Sequence, residues 1–221
     1  MKHRFFSKNE EEQKRLLWKT GAILFAISIA ILASSYFTGF YILVFLIPIV
    51  ILIAAPFIDL PMGKKSGKFI YYSPLFITEE VRNNRVTVHG GTLFDYVYTI
   101  KPEMQKRKRT QYVLYGYISG LINFISEHEG QDKDELKIRG TSYIISRRTA
   151  SRLGLQPVQK DLVQIVLLLL NYIPITLSYS FLKQKLQLPK ISDVQTYEGT
   201  LSEIAAHKEE LVRLKHRLKP D

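Results

Sequence analysis

The 221 residues contain no cysteine. Disulfides, thiolate metal sites and cysteine nucleophiles are therefore excluded, and the composition fits a reducing compartment. Histidine is scarce as well: His3, His89, His128, His207 and His216 lie scattered without zinc-ligand spacing, so no metal site is expected. There is no P-loop, no dinucleotide fingerprint, no G-x-S-x-G nucleophile elbow and no recognisable triad, and no cofactor is implied. Internal repeats and low-complexity segments are missing too. Acidic residues are the minority, 20 Asp and Glu against 31 Lys and Arg, which leaves a formal net charge of +11. That balance favours anionic partners, a lipid surface before nucleic acid, because a membrane protein already has a reason to be basic.

The longest absence is of charge. Residues 20–58, TGAILFAISIAILASSYFTGFYILVFLIPIVILIAAPFI, hold no Asp, Glu, Lys, Arg or His. As one straight helix the run would reach about 58 Å at ~1.5 Å per residue, against roughly 30 Å of hydrocarbon. It must double back, so the reading is a transmembrane helical hairpin with its turn at residues 34–39 (SSYFTG) and kinks or a helix end at Pro48 and Pro56. Lys2, Arg4, Lys8, Lys14, Arg15 and Lys19 precede it, Lys64, Lys65 and Lys68 follow it, and the turn is uncharged. Basic flanks stay inside, which predicts a multi-pass protein of the inner or plasma membrane with both termini cytoplasmic. A cleavable signal peptide shares some of these features, but the second arm would then stop transfer and leave the same side assignment.

Residues 1–19 read as a basic juxtamembrane segment with Trp18 at the headgroup level, and residues 59–67 as a linker. Residues 68–221 read as one cytosolic α+β domain, a small antiparallel sheet plus helices, since about 160 residues can bury a single core. Within it, residues 68–77 suggest an edge or bulged strand interrupted by Pro74. Residues 85–100 suggest a hairpin turning at Gly90 and Gly91, with Asp95 in an apolar row beside Val86, Val88, Leu93 and Val97. A basic loop over 101–110 leads into a helix over 111–128, carried by Leu114, Ile118, Leu121, Ile122 and Ile125. An acidic loop over 129–135 precedes a strand over 135–145, and Ser146 is set to cap a short helix that ends at Gly154. Residues 162–182 are uncharged and long enough for a third span; the preferred reading is a buried or membrane-resting helical hairpin broken near Pro174. The C-terminal stretch carries a capping box, Thr200 and Glu203, and a stripe of Leu201, Ile204, Leu211, Leu214 and Leu218 that packs on the domain or on a second copy.

Three sets of residues carry the chemistry expected of this chain. Lys106, Arg107, Lys108 and Arg109, near Tyr112, Tyr115 and Tyr117, suit anionic lipid headgroups. Ser146, Arg147, Arg148 and Arg152 could dock an anion at a helix start. Asp95, with His89, is the weak catalytic candidate, because a carboxylate on an apolar face is either paired, here by Arg82, Arg85 or Arg139, or functional. The function expected is non-enzymatic: a membrane protein whose basic cytosolic domain binds partner proteins or anionic lipid. A membrane-bound enzyme on a lipid or acyl substrate, and a three-span transporter or assembly subunit, are the alternatives.

Overall fold

Helix α1, Glu10–Thr38, starts at Asn9, whose side chain accepts from Glu12 N at 2.8 Å, and runs for 29 residues. In this computed structural model the residues described are 1–130, 135–142, 145–159, 162–190 and 194–219. The turn comes at Gly39, with φ of 68°, a left-handed conformation that glycine takes without a Cβ clash. Ser34 and Thr38 stay helical, the Thr38 hydroxyl donating back to Ser34 O at 2.6 Å, so the turn lies at the end of the SSYFTG stretch. A short 3₁₀ segment, Tyr41–Phe45, leads into α2, Leu46–Lys65. Pro48 sits in its first turn, where a missing N–H costs nothing, while Pro56 and Pro61 lie inside the helix.

The two helices pack together and turn Ile23, Phe25, Ile29, Leu32 and Ile51 outward. Their apolar windows have mean hydropathies of 2.0 and 2.9, and 0% of either window is buried inside the protein. By length and composition both can cross a membrane. Neither is the core helix of a water-soluble fold, because such a helix would be covered.

The lower end of this pair is not joined to the rest by a linker. Residues 59–65 continue α2, and Leu60 is buried with Phe5, Ile77 and Phe94. Residues 1–8 are likewise not a juxtamembrane helix; they form turns against the domain, with Phe5 only 1% exposed and Phe6 packed on the same cluster. Arg4 secures them, its guanidinium donating to Val97 O, to Tyr98 O at 3.1 Å and to Ile100 O at 3.1 Å. Anchor and domain therefore share one hydrophobic core.

The domain is α+β, built on a six-stranded sheet in the order β1-β2-β3-β4-β6-β5. These strands are Phe69–Ser73, Phe76–Glu79, Arg85–Gly90, Lys137–Ser142, Gln156–Val158 (β5) and Gln195–Thr200 (β6). Pro74 and Leu75 turn the chain between β1 and β2, and an irregularity between Tyr71 and Ser73 gives β1 the expected bulge at the sheet edge. The sheet is mixed: β3 and β4 run parallel, the other neighbours antiparallel.

That parallel pair corrects the hairpin at Gly90 and Gly91. β3 ends there and the chain enters α3, Leu93–Thr99, capped by Thr92, so Asp95 lies at the third helical position and not in a strand row. The reason is burial on two sides: Phe94 and Tyr96, both 0% exposed, enter separate apolar clusters, the first with Phe5, Leu60 and Ile77, the second with Leu75, Ile100 and Val113. A strand would put these alternate residues on one face, a helix sends them to opposite sides, and this outweighs the β propensity of the segment.

Helix α4, Lys106–His128, crosses the sheet and begins five residues earlier than the apolar spacing suggests, absorbing the basic loop. Gly120 lets it approach closely, since a Cβ there would lie 2.2 Å from Phe76 Cβ. Helix α5, Arg147–Ser151, starts at Ser146, whose hydroxyl accepts from Thr149 N at 3.2 Å. Residues 162–182 are two helices, α6, Leu162–Leu170, and α7, Tyr172–Lys183, broken at Asn171, three positions before Pro174. α7 packs against α2, α3 and α4. The C-terminal stripe divides at His207 into α8, Leu201–Ala206, and α9, Lys208–Leu218, and α9 packs on α4. The acidic loop expected over 129–135 falls largely outside the described residues.

Candidate anion-binding cleft

Arg109 is 6% exposed and its guanidinium is committed to backbone carbonyls. Nε donates to Met104 O at 2.8 Å, Nη1 to Phe181 O at 2.8 Å and Nη2 to Pro102 O at 2.6 Å. Burial lowers its pKa from the usual guanidinium range. It is thus unlike its three neighbours in sequence: it holds the end of α7 against the start of α4. Gln184 repeats the tie, its side-chain amide donating to Met104 O at 3.1 Å.

The consequence is an open cleft of about 790 Å³ between the first turns of α4, the end of α7 and the end of α9. Lys106 and Arg107 line it from α4, Lys183 from α7 and Arg217 from α9. Gln111 closes the far wall by donating to Leu218 O at 3.4 Å, and Leu114 and Leu218 supply an apolar patch. None of these four cations belongs to an ion pair among the described residues. Among the described residues the lining holds cations, amides, Thr110 and aliphatic carbon, with no carboxylate and no imidazole. Four like charges at one mouth repel each other and gain from an anion that bridges them.

The other sequence candidates lie elsewhere. Lys108 is exposed outside the cleft lining. Ser146 is occupied as a helix cap; Arg147 donates to Gln195 Oε1 at 3.4 Å, and Arg148 and Arg152 point outward from α5. None of the four reaches the cleft. His89 Nε2 meets Glu79 Oε1 at 3.0 Å between β3 and β2, on a half-exposed surface, and that hydrogen bond holds the Glu79 carboxyl below its usual range.

Asp95 is fully buried, and its partners are not arginines. Oδ2 accepts from Thr92 N at 2.7 Å and Thr92 Oγ1 at 3.0 Å; Oδ1 accepts from Tyr71 Oη at 3.1 Å. His3 Nε2 lies 3.3 Å from Oδ1, at a distance for charge attraction but without the alignment of a hydrogen bond. Arg82 pairs with Glu80 at 3.1 Å instead. Burial first, then the adjacent carboxylate, pushes the Tyr71 phenol far above its usual range. These groups sit among Phe6, Phe94 and Tyr98 at the seam between anchor and domain. The arrangement locks three segments together, residues 1–8 through His3, β1 through Tyr71 and the start of α3 through Thr92 and Asp95.

The sequence singled out Lys106 and Arg107 by their density of charge and gave no reason to group Lys183 and Arg217 with them. Lys183 is the single basic residue in the last turn of α7, and Arg217 follows Lys215 and His216 at the end of α9; basic residues at helix ends are commonplace and carry no sign of a distant partner. Comparisons of the chain with protein-family models, with curated proteins and with solved structures give no match.

Proposed function

We propose that this protein is a membrane-anchored module whose cleft holds the phosphate of anionic lipid at the cytoplasmic surface, by binding and without turnover. The observation that carries the reading is the convergence of Lys106, Arg107, Lys183 and Arg217, from three helices far apart in sequence, on one mouth with aliphatic carbon behind it. Phosphate takes the cations, and Leu114 and Leu218 take the first carbons of a glycerol ester. Binding rather than turnover is supported by the described lining, which carries no carboxylate or imidazole to move a proton.

In this reading α1 and α2 cross the bilayer of an inner or plasma membrane as a hairpin. The uncovered apolar windows support the crossing, and the basic residues before α1 and after α2 support cytoplasmic termini.

The test uses the full chain in a neutral detergent, because removing the anchor would strip Phe5 and Leu60 from the core. Short-chain phosphatidylglycerol, short-chain phosphatidylcholine and inorganic phosphate are titrated separately. Phosphatidylglycerol is expected to bind, more weakly as salt is raised, and inorganic phosphate to compete with it only at much higher concentration. With about 1 kcal/mol per well-placed cation, the double variant Lys183→Ala/Arg217→Ala should weaken phosphatidylglycerol binding about 30-fold. Equal affinity for the two lipids, or a double variant that binds as well as the wild type, overturns the reading.

A further inference from the structure

Helix α6 is an apolar helix with almost nothing on it. Of its described side chains Leu168 alone is buried, while Ile165 is 40% exposed and Val166, Leu167, Leu169 and Leu170 are each 52–55% exposed. At nine residues it reaches only about 14 Å, under half of the hydrocarbon thickness, so it cannot span by itself. Water is a poor solvent for such a surface, which at a typical monomer would be covered.

The segment after α7 extends the same patch. It folds back along α7: Gln187 N donates to Ser180 Oγ at 3.1 Å, and Tyr172 Oη donates to Pro189 O at 3.1 Å. The bonded residues face α7, and the alternate ones, Leu186 at 79% and Leu188 at 65%, face out. Exposed apolar side chains therefore stand at both ends of α7, on α6 at its start and on the return segment near its finish. α7 itself packs against α2, the second helix of the hairpin, and so ties α6 and the return segment to it.

We infer that α6 and the return segment form a third, non-spanning membrane contact, with α6 sunk among the lipid acyl chains just below the headgroups and α7 lying along the surface. This rests on the membrane reading of α1 and α2. Charge selects lipid over a second copy of the chain: residues 162–190 contain Lys183, Lys185 and Lys190 and no Asp or Glu. Two such faces apposed in a symmetric dimer would set lysines against lysines, whereas an anionic leaflet attracts them. The contact also sets the height of the cleft. Lys183 ends α7 and lines the cleft, so a helix held flat on the leaflet keeps that mouth at the level of the phosphates.

The chain has one tryptophan, Trp18, which makes a fluorescence test direct. The full chain is made as Trp18→Phe/Val166→Trp and, as a control inside α1, as Trp18→Phe/Ile27→Trp. Both are reconstituted in phosphatidylcholine–phosphatidylglycerol vesicles with bromine placed either near the headgroup end or near the terminal end of the acyl chains. Tryptophan at 166 is expected to emit in the blue and to be quenched more by the shallow bromines, and tryptophan at 27 more by the deep ones. Red emission from position 166 with quenching by aqueous iodide overturns the inference, and blue emission untouched by either bromine overturns it in favour of a protein–protein contact. If position 27 also escapes bromine, the hairpin reading has failed; if it alone is quenched, only the third contact has.

Discussion

His3 Nε2 lies 3.3 Å from Asp95 Oδ1, and both side chains are sealed from solvent, 5% and 0% exposed. One residue precedes the first apolar helix and the other begins a helix of the domain, so the contact spans the seam between them. Around it Tyr71 and Thr92 donate three hydrogen bonds to the carboxylate. The seam is a polar knot inside an aromatic cluster, and it makes the apolar helix pair part of the folded unit.

Asp95→Asn can keep both Thr92 bonds through its amide oxygen, but it removes the charge from them and forces the Tyr71 hydroxyl to turn from donor to acceptor. The expected cost is about 1–3 kcal/mol, from weakened charge-assisted hydrogen bonds in a buried site. It is read by chemical denaturation in detergent, and by faster amide exchange over residues 4–8. Unchanged stability would contradict the structural role and return Asp95 to the list of chemical candidates.

Phe5→Ala should cost about 3–5 kcal/mol, the range for truncating a fully buried aromatic ring. A residue in a frayed basic tail would cost nothing. Thermal unfolding of the full chain distinguishes the two, and a fragment beginning after residue 67 is expected not to fold.

Arg109→Lys keeps the charge and loses the fork. A lysine ammonium cannot serve the carbonyls of Met104, Phe181 and Pro102 together; Met104 O keeps the Gln184 amide, and Phe181 O or Pro102 O is orphaned at a cost of about 1–3 kcal/mol. The end of α7 loosens, and phosphatidylglycerol binding falls with it although no charge has been removed. Loss of binding with full stability would instead make Arg109 a ligand.

Glu203 gives the domain a pH dependence of known sign. Its carboxylate accepts from Thr200 N at 2.8 Å, and that backbone bond first, then the Thr200 side chain, lowers its pKa from 4.5. A depressed carboxylate contributes stability above its unfolded pKa and loses it as pH falls through the folded one. Glu203→Gln should therefore be less stable than wild type at neutral pH, with the gap closing as pH falls from 4.5 through the lowered folded value. A gap that stays constant over that range contradicts the charged capping box.

The two apolar helices were legible because the missing charge is a local property of one run, and α4 and the caps at Ser146 and Thr200 because spacing and capping act over four residues. The parts that were not legible depend on distant partners. Residues 93–99 have β-rich composition, and the burial of Phe94 and Tyr96 in two clusters on opposite sides, with the Thr92–Asp95 capping box, makes them a helix. β6, QTYEGT, looks too polar for an inner strand, yet it lies between β4 and β5 with Thr196 and Tyr197 buried. Phe5 and Phe6 were hidden by the basic residues around them. The cleft was half visible: Lys106 and Arg107 are adjacent, whereas Lys183 and Arg217 meet them only through the packing of α7 and α9 on α4.

The absence of cysteine makes the central claim directly measurable, because any introduced thiol is the sole target of a maleimide. Thr38→Cys marks the turn after α1, and Lys215→Cys marks α9, both in the full chain expressed in intact cells. A membrane-impermeant maleimide is predicted to label the thiol at 38 in intact cells and the thiol at 215 only after lysis. Labelling at 215 in intact cells, or protection at 38 until lysis, would contradict a hairpin that crosses the membrane and leaves the domain inside.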